Sequence, residues 1–166
     1  MPRWFEDDES PECMKHDGKR LSHQARLLLK QTRRLSFHCV HCGSEVPTEA
    51  SNTKHRNHCS ICLWSRHVDE SIGDRSSICL SSMEPLGLTI KRDGGELMIV
   101  HRCTGCGKIV KNRIAGDDNA TSLVNLLDDS ANLDDHTVNG LVANGIHLCL
   151  EREVVEGCIW GNGGTS

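Results

Sequence analysis

Three Cys-x2-Cys pairs constrain this chain more than any other feature: Cys39/Cys42, Cys59/Cys62 and Cys103/Cys106. Cysteines two residues apart share one tight turn, from which both thiolates can grip a single ion. Four such ligands make the tetrahedral structural site that Zn2+ favours. The middle pair lies in a polar run, residues 54–69, that also holds His55, His58, His67 and Trp64, and a lone Cys79 follows. Gly43 stands directly after the second cysteine of the first pair, where it permits a turn that points amide N–H groups at sulfur. The expectation is a zinc-stabilised domain.

Composition agrees. Aromatic residues make up 3 % of the 166 residues and Tyr is absent, so a large conventional core is not available and metal support is needed. Ten cysteines raise the alternative of a disulfide scaffold. Six of them sit in Cys-x2-Cys pairs with histidines nearby, and Met1–Asp8 lacks the apolar stretch of a secretory signal, so reduced thiols and a cytoplasmic location are expected. No apolar run reaches the length of a membrane span.

The net charge of −4 is unevenly spread. Residues 1–12 carry one positive and five negative charges, residues 13–35 seven and one, residues 36–116 ten and eight, and residues 117–166 one and nine. This divides the chain into a flexible N-terminus with a basic helical arm (1–35), a metal-binding domain (36–120) and a partly ordered acidic extension (121–166). Such asymmetry fits an interaction protein.

Leu21, Ala25, Leu28 and Leu29 recur at helical spacing, with Ser22 as a cap. Glu45–Pro47 reads as a short returning strand. Ile61, Leu63, Trp64 and Val68 suit a helix beginning near Cys59, and a second knuckle with a short strand is the alternative. Turn signals stand around Gly73-Asp74, and Cys79 and the stretch Met83-Glu84-Pro85-Leu86-Gly87 follow. Residues 88–92 and 96–101 read as a hairpin that delivers the third pair, and residues 108–114 as its returning strand. Short helices are expected around Leu123–Leu127 and Val138–Ala143, then a strand at Ile146–Leu150 and a Gly-rich end; Cys149 and Cys158 are given no chemistry. The fold class is therefore a small α+β zinc-stabilised domain with zinc-ribbon or treble-clef-like knuckles, β-hairpins and a short helix.

The ligand set is Cys39, Cys42, Cys59, Cys62, His67, Cys79, Cys103 and Cys106, enough for two Zn2+ ions. The gap between Cys42 and Cys59 lies in the range of familiar four-cysteine sites, which groups Cys39, Cys42, Cys59 and Cys62 and leaves Cys103, Cys106, Cys79 and His67 for the other. The rival division joins the first and third pairs, leaving Cys59, Cys62, His67 and Cys79. His58 or His101 can stand in for His67; His38, His41 and His55 are read as neighbours rather than ligands.

Arg56-Asn57-His58-Cys59, Cys62-Leu63, His67-Val68-Asp69, Gly73-Asp74-Arg75, Cys79, Met83-Glu84-Pro85, Val100 to Cys103, Asn112 to Ala115 and Asp117-Asp118-Asn119 resemble the RNHCP-domain proteins, over roughly residues 36–120. The family is named for a five-residue signature whose Pro is Ser60 here, a change that removes no ligand. The resemblance implies a zinc-binding fold and no assigned activity.

Closed four-ligand sites leave no open position to activate water. The first functional reading is therefore a zinc-dependent module that binds nucleic acid, RNA or a ribosome-associated partner. It would act through Arg26, Lys30, Arg33, Arg34, Arg56, Lys108, Lys111 and Arg113, with Lys54 and Arg66 beside the knuckles and Trp64 either stacking a base or packing the core. The second is a protein-interaction adaptor that docks a basic partner on the acidic end. The third is a treble-clef-type metal-dependent nuclease using Asn57, His58, His67 and Asp69, whose spacing does not reproduce the His-Asn-His pattern.

Overall fold

The computed structural model describes residues 22–24, 35–51, 53, 56–71, 73–92 and 95–161. The arm residues Arg26, Lys30, Arg33 and Arg34, together with Lys54 and His55, lie outside the described residues. So do most of the helix expected from Leu21 and all of residues 1–20.

Two antiparallel sheets organise the described chain. β1 (Ser36–His38) and β2 (Glu45–Pro47) form a hairpin around the first cysteine pair. β3 (Ser65–Arg66), β4 (Ser82–Ile90), β5 (Leu97–Cys103) and β6 (Ile109–Arg113) form a four-stranded sheet in that order. β4 starts well before the expected Leu88. It runs through Pro85 and Gly87 because a register shift between them absorbs the irregularity that proline brings to a ladder. Gly87 has a packing reason as well: a Cβ there would lie 2.9 Å from Ser130 Cβ and 3.0 Å from Leu148 Cδ2, closer than side chains pack.

Three helices follow: α1 (Ala120–Ser130), α2 (Asp135–Ala143) and α3 (Arg152–Trp160). Asn119 and Asp134 cap the first two by accepting from Ser122 N and Thr137 N, each at 2.9 Å. Leu123, Leu126 and Leu127 recur at helical spacing and bury one face of α1 against Leu63, Leu88, Leu97 and Ile99, with Cys149 and Val155 closing the cluster. A second cluster joins Leu86, Val100, Leu141 and Ile146. Full burial of each such aliphatic side chain stabilises by about 1.5–3 kcal/mol.

Two expectations for the end of the chain do not hold. Residues 146–150 form no strand, although Cys149 N donates to Leu88 O at 2.8 Å and Thr89 Oγ1 to His147 O at 2.6 Å. Their alternation reflects Ile146, Leu148 and Cys149 turning inward without a ladder. Residues 152–160, read as part of a Gly-rich end, are helical. Among the described residues no helix is long and apolar enough to cross a membrane.

Candidate metal centres

Each Cys-x2-Cys pair adopts the same turn. Gly43 N, Leu63 N and Gly107 N donate to Cys39 O, Cys59 O and Cys103 O at 2.9, 3.0 and 3.0 Å. In return Cys39 N, Cys59 N and Cys103 N donate to Ser44 O, Trp64 O and Lys108 O at 2.9, 2.8 and 2.8 Å. The residue after the second cysteine takes φ of +74°, +64° and +76° in the three turns. Left-handed backbone at this position directs amides at sulfur: His41 N lies 3.4 Å from Cys39 Sγ and Ile61 N 3.4 Å from Cys59 Sγ. The helix expected from Cys59 is thus replaced by the alternative knuckle and short strand, and a treble-clef helix is not seen there.

Leu63 is the exception in this set, a buried non-glycine in left-handed backbone. Its side chain fills the main core, and its carbonyl accepts from His101 Nε2 at 2.7 Å. Replacing it with Gly relieves about 1 kcal/mol of backbone strain but forfeits burial of the kind that costs 2–5 kcal/mol in Leu→Ala changes. Leu63→Gly is therefore expected to lower stability by about 1–4 kcal/mol in urea unfolding. A more stable variant would mean that strain outweighs packing.

The knuckles bring the eight expected ligands together in the first of the two divisions. The ligand atoms of Cys39, Cys42, Cys59 and Cys62 lie within 4.8 Å of one another, and so do those of His67, Cys79, Cys103 and Cys106. In the first group Cys39 Sγ is 3.5 Å from Cys62 Sγ and Cys42 Sγ is 3.6 Å from Cys59 Sγ. In the second Cys79 Sγ is 3.6 Å from Cys103 Sγ, and Cys106 Sγ is 3.3 Å from His67 Nδ1. These separations exceed a disulfide bond of about 2.05 Å. They approach the edge of about 3.8 Å of a tetrahedron with Zn–S bonds of about 2.3 Å. Two Cys-rich sites that accommodate two zinc ions are present.

Burial and local donors tune the thiols unequally. The Ser44 hydroxyl, 3.4 Å from Cys42 Sγ, lowers Cys42 to about 6, and the Ser81 hydroxyl does the same for Cys79. Burial pushes Cys59 and Cys62 up. Thiols bind metal as thiolates, so an arriving metal displaces the protons they still carry.

The second site is assembled from three separate elements. His67 follows β3, Cys103 ends β5 and Cys106 lies in the turn after it, and the intervening loop returns Cys79 through His67 N to Ser81 O at 2.9 Å and Ser77 N to Val68 O at 3.1 Å. Gly105 admits that loop, since a Cβ there would lie 2.8 Å from Ser81 Cβ. Asp74 gathers the loop by accepting from Glu70 N, Ser71 N and Ser76 N, and the Ser76 hydroxyl leads in lowering its carboxyl to about 2. With Nδ1 facing the sulfurs, His67 Nε2 lies 3.6 Å from Glu70 Oε1, a carboxylate placed to orient the ring.

His58 and His101 do not ligate. His58 Nε2 lies 2.8 Å from Asp118 Oδ2. His101 is fully buried, which lowers it to about 3; it donates from Nε2 to Leu63 O, and its Nδ1 accepts from Asn112 Nδ2 at 3.1 Å. The groups considered for nuclease chemistry are also engaged: His67 in the second site, and Asn57 with Asp69 through a 2.8 Å bond.

The basic residues read as phosphate contacts divide differently from expectation. Arg56 is 2 % exposed and forks onto Asp117, with Nη1 at 2.9 Å from Oδ2 and Nη2 against Oδ1; Nη2 also lies 3.5 Å from Asp118 Oδ1. It faces the interior, because two carboxylates far away in sequence meet it there. Lys108 Nζ is held by Glu70 Oε2 at 2.9 Å and Glu70 O at 2.6 Å, and Arg113 Nε lies 3.3 Å from Glu96 Oε2. Lys111 is exposed. The Asp117–Asp118 partner and Glu70 went unassigned in the sequence, where an acidic pair in a linker gives no sign of an internal role.

Comparison with curated proteins and with solved structures found no match. The family model for the RNHCP domain matches residues 34–124, more than half of the 166 residues. That span holds both ligand groups and the Arg56–Asp117–Asp118 cluster, and the chain belongs to the RNHCP-domain family.

Proposed function

We propose that this protein is a zinc-stabilised binding module whose partner is nucleic acid. The supporting observation is a polar cleft of about 630 Å3 between β3, the loop after it and β6, with Arg66, Lys111 and Arg113 on its rim. Both metal sites draw four ligands from the chain, so the metals support the walls of such a cleft. Two carboxylates, Asp69 and Glu70, line this cleft, and each has a partner there: Asp69 accepts from Asn57 Nδ2 at 2.8 Å and Glu70 from Lys108 Nζ at 2.9 Å. No residue of the three helices, which carry Asp128, Asp129, Asp135, Glu153 and Glu156, lines the cleft.

Arg66, Arg75 and Lys111 are the exposed cations near this surface whose charge is least neutralised; Arg66 uses only Nε, on Leu80 O, and Arg75 lies 3.7 Å from Asp69. Three phosphate contacts at about −0.7 each give a log–log salt slope of about −2 on a single strand, a loss of about twentyfold between about 50 and 200 mM salt. Filter binding of single-stranded RNA by the full chain is expected to show at least this slope, and Lys111→Gln to reduce it by about 0.7. Absence of any salt-sensitive complex would overturn the reading. A protein-interaction adaptor is the second reading, favoured by exposed Leu150, Val154 and Trp160 on or beside the acidic α3.

A further inference from the structure

A second cleft, of about 590 Å3, adjoins the polar one and shares Arg56, Asn57, Ser65, Arg66 and Val68 with it. Phe37 of β1 and Trp64 of the second knuckle supply half-buried aromatic surface, Val68 adds an aliphatic wall, Arg66 and Arg75 bring exposed guanidinium groups, and the exposed Glu49 lies in the same lining. Trp64 is already stacked on His41, with ring centroids 4.1 Å apart and planes 3° from parallel. Trp64 lines the cleft and His41 does not; the ring also packs against the Cys39, Val46 and Cys59 cluster, so the indole meets the cleft with the part that both leave uncovered. The ring is held in place before any ligand arrives, which lowers the entropy cost of stacking on it.

We infer that this cleft binds one unpaired base of a single-stranded nucleic acid, stacked on Trp64 beside Phe37, with Arg66 and Arg75 on the flanking phosphates. The inference rests on the nucleic-acid reading above and narrows it to a strand whose bases are free. Every base has a π-face that an aromatic ring can stack, and bases inside a duplex are already stacked on each other. The volume is that of a small-molecule site, ample for one nucleotide and too small for a helix. Arg66 borders both clefts, so a strand seated here continues into the polar cleft toward Lys111.

The test uses the full chain with Trp4→Phe and Trp160→Phe, which leaves Trp64 as the only tryptophan of three. Titration with a short oligouridylate is expected to quench Trp64 emission along a saturating curve, and a duplex of the same length to leave it unchanged. Trp64→Leu is expected to weaken oligouridylate binding about fivefold or more, since one stacked base is worth about 1–3 kcal/mol. Zinc content measured in parallel reports whether that variant still folds, and Arg66→Gln with Arg75→Gln gives a surface variant expected to weaken binding and flatten the salt slope. Salt-sensitive binding with unmoved Trp64 emission would overturn the cleft assignment and leave nucleic-acid binding standing. Equal quenching by duplex would overturn the unpaired-base assignment. No binding at all would overturn both.

Discussion

Cys59→Ser and Cys103→Ser are each expected to yield protein with one zinc per chain where the wild type carries two, and their structural consequences are expected to differ. The first site is enclosed by very little apolar material. Cys39, Val46 and Cys59 are the buried members of its cluster, with Phe37, Cys62 and Trp64 packed against them. Its hairpin has strands of three residues, and a two-stranded ribbon of that length does not hold itself together in water. The second site sits on β5 of the four-stranded sheet, which buries Leu88, Leu97 and Ile99 against α1 without any metal. Structural zinc binds with an apparent 10–16 kcal/mol in small metal-dependent domains, comparable to or larger than the whole stability of an ordinary one. Loss of the first ion is therefore expected to melt residues 36–66, and loss of the second to release the loop carrying His67 and Cys79 while the sheet survives. Elemental analysis with hydrogen exchange checks both statements. Two zincs retained in Cys59→Ser, or full protection of β1 and β2 in it, would contradict the assignment of that site.

The contrast between what was readable and what was not follows the range of the forces involved. The turns at Cys39, Cys59 and Cys103 are local, and a pair of thiols two residues apart specifies each, so the knuckles and the set of ligands were legible. The division of that set into two sites depends on long-range packing and stayed open between two arrangements until the structure selected the first. The second knuckle still resembled a helix, because Leu63 occupies the left-handed position that glycine holds at residues 43 and 107, and its apolar spacing with Ile61 and Trp64 mimics an amphipathic face. Tertiary demand explains the substitution: Leu63 serves the core that α1 closes. The strand through Pro85 and Gly87 was hidden for a related reason, since both residues read as turn formers until Ser130 and Leu148 are seen against Gly87. α3 gave little signal because Glu151 caps it without a side-chain bond and its middle holds Gly157. Charge proved hardest to read, for a sequence does not show whether an arginine meets solvent or a carboxylate sixty residues on.

Arg56→Ala is expected to destabilise the protein by about 3–5 kcal/mol, the usual consequence of removing one partner from a buried ion pair. The Arg56 and Asp118 side chains are both 0 % exposed, and Asp118 Oδ2 is already used by His58 Nε2 at 2.8 Å and Ala115 N at 2.7 Å. Without the guanidinium, the buried Asp118 carboxyl keeps only His58 Nε2 and Ala115 N as partners. The effect extends to the first metal site. Arg56 stands three residues before Cys59, and the Asp117–Asp118 turn leads into Asn119, whose N–H donates to Ser60 O at 2.8 Å; Ser122 Oγ then reaches Ile61 O at 2.6 Å. This chain of contacts pins the second knuckle to the start of α1, so Arg56→Ala is expected to weaken zinc retention by Cys59 and Cys62 although no ligand has changed. Arg56→Lys keeps the charge but cannot reproduce the two-pronged bond to Asp117, and should fall between wild type and Ala. A phosphate-binding Arg56 makes the opposite demand: Arg56→Ala would then leave urea stability and zinc content intact and lower the salt slope of RNA binding by about one. Urea titration with zinc analysis of Arg56→Ala therefore separates an internal clasp from a surface contact.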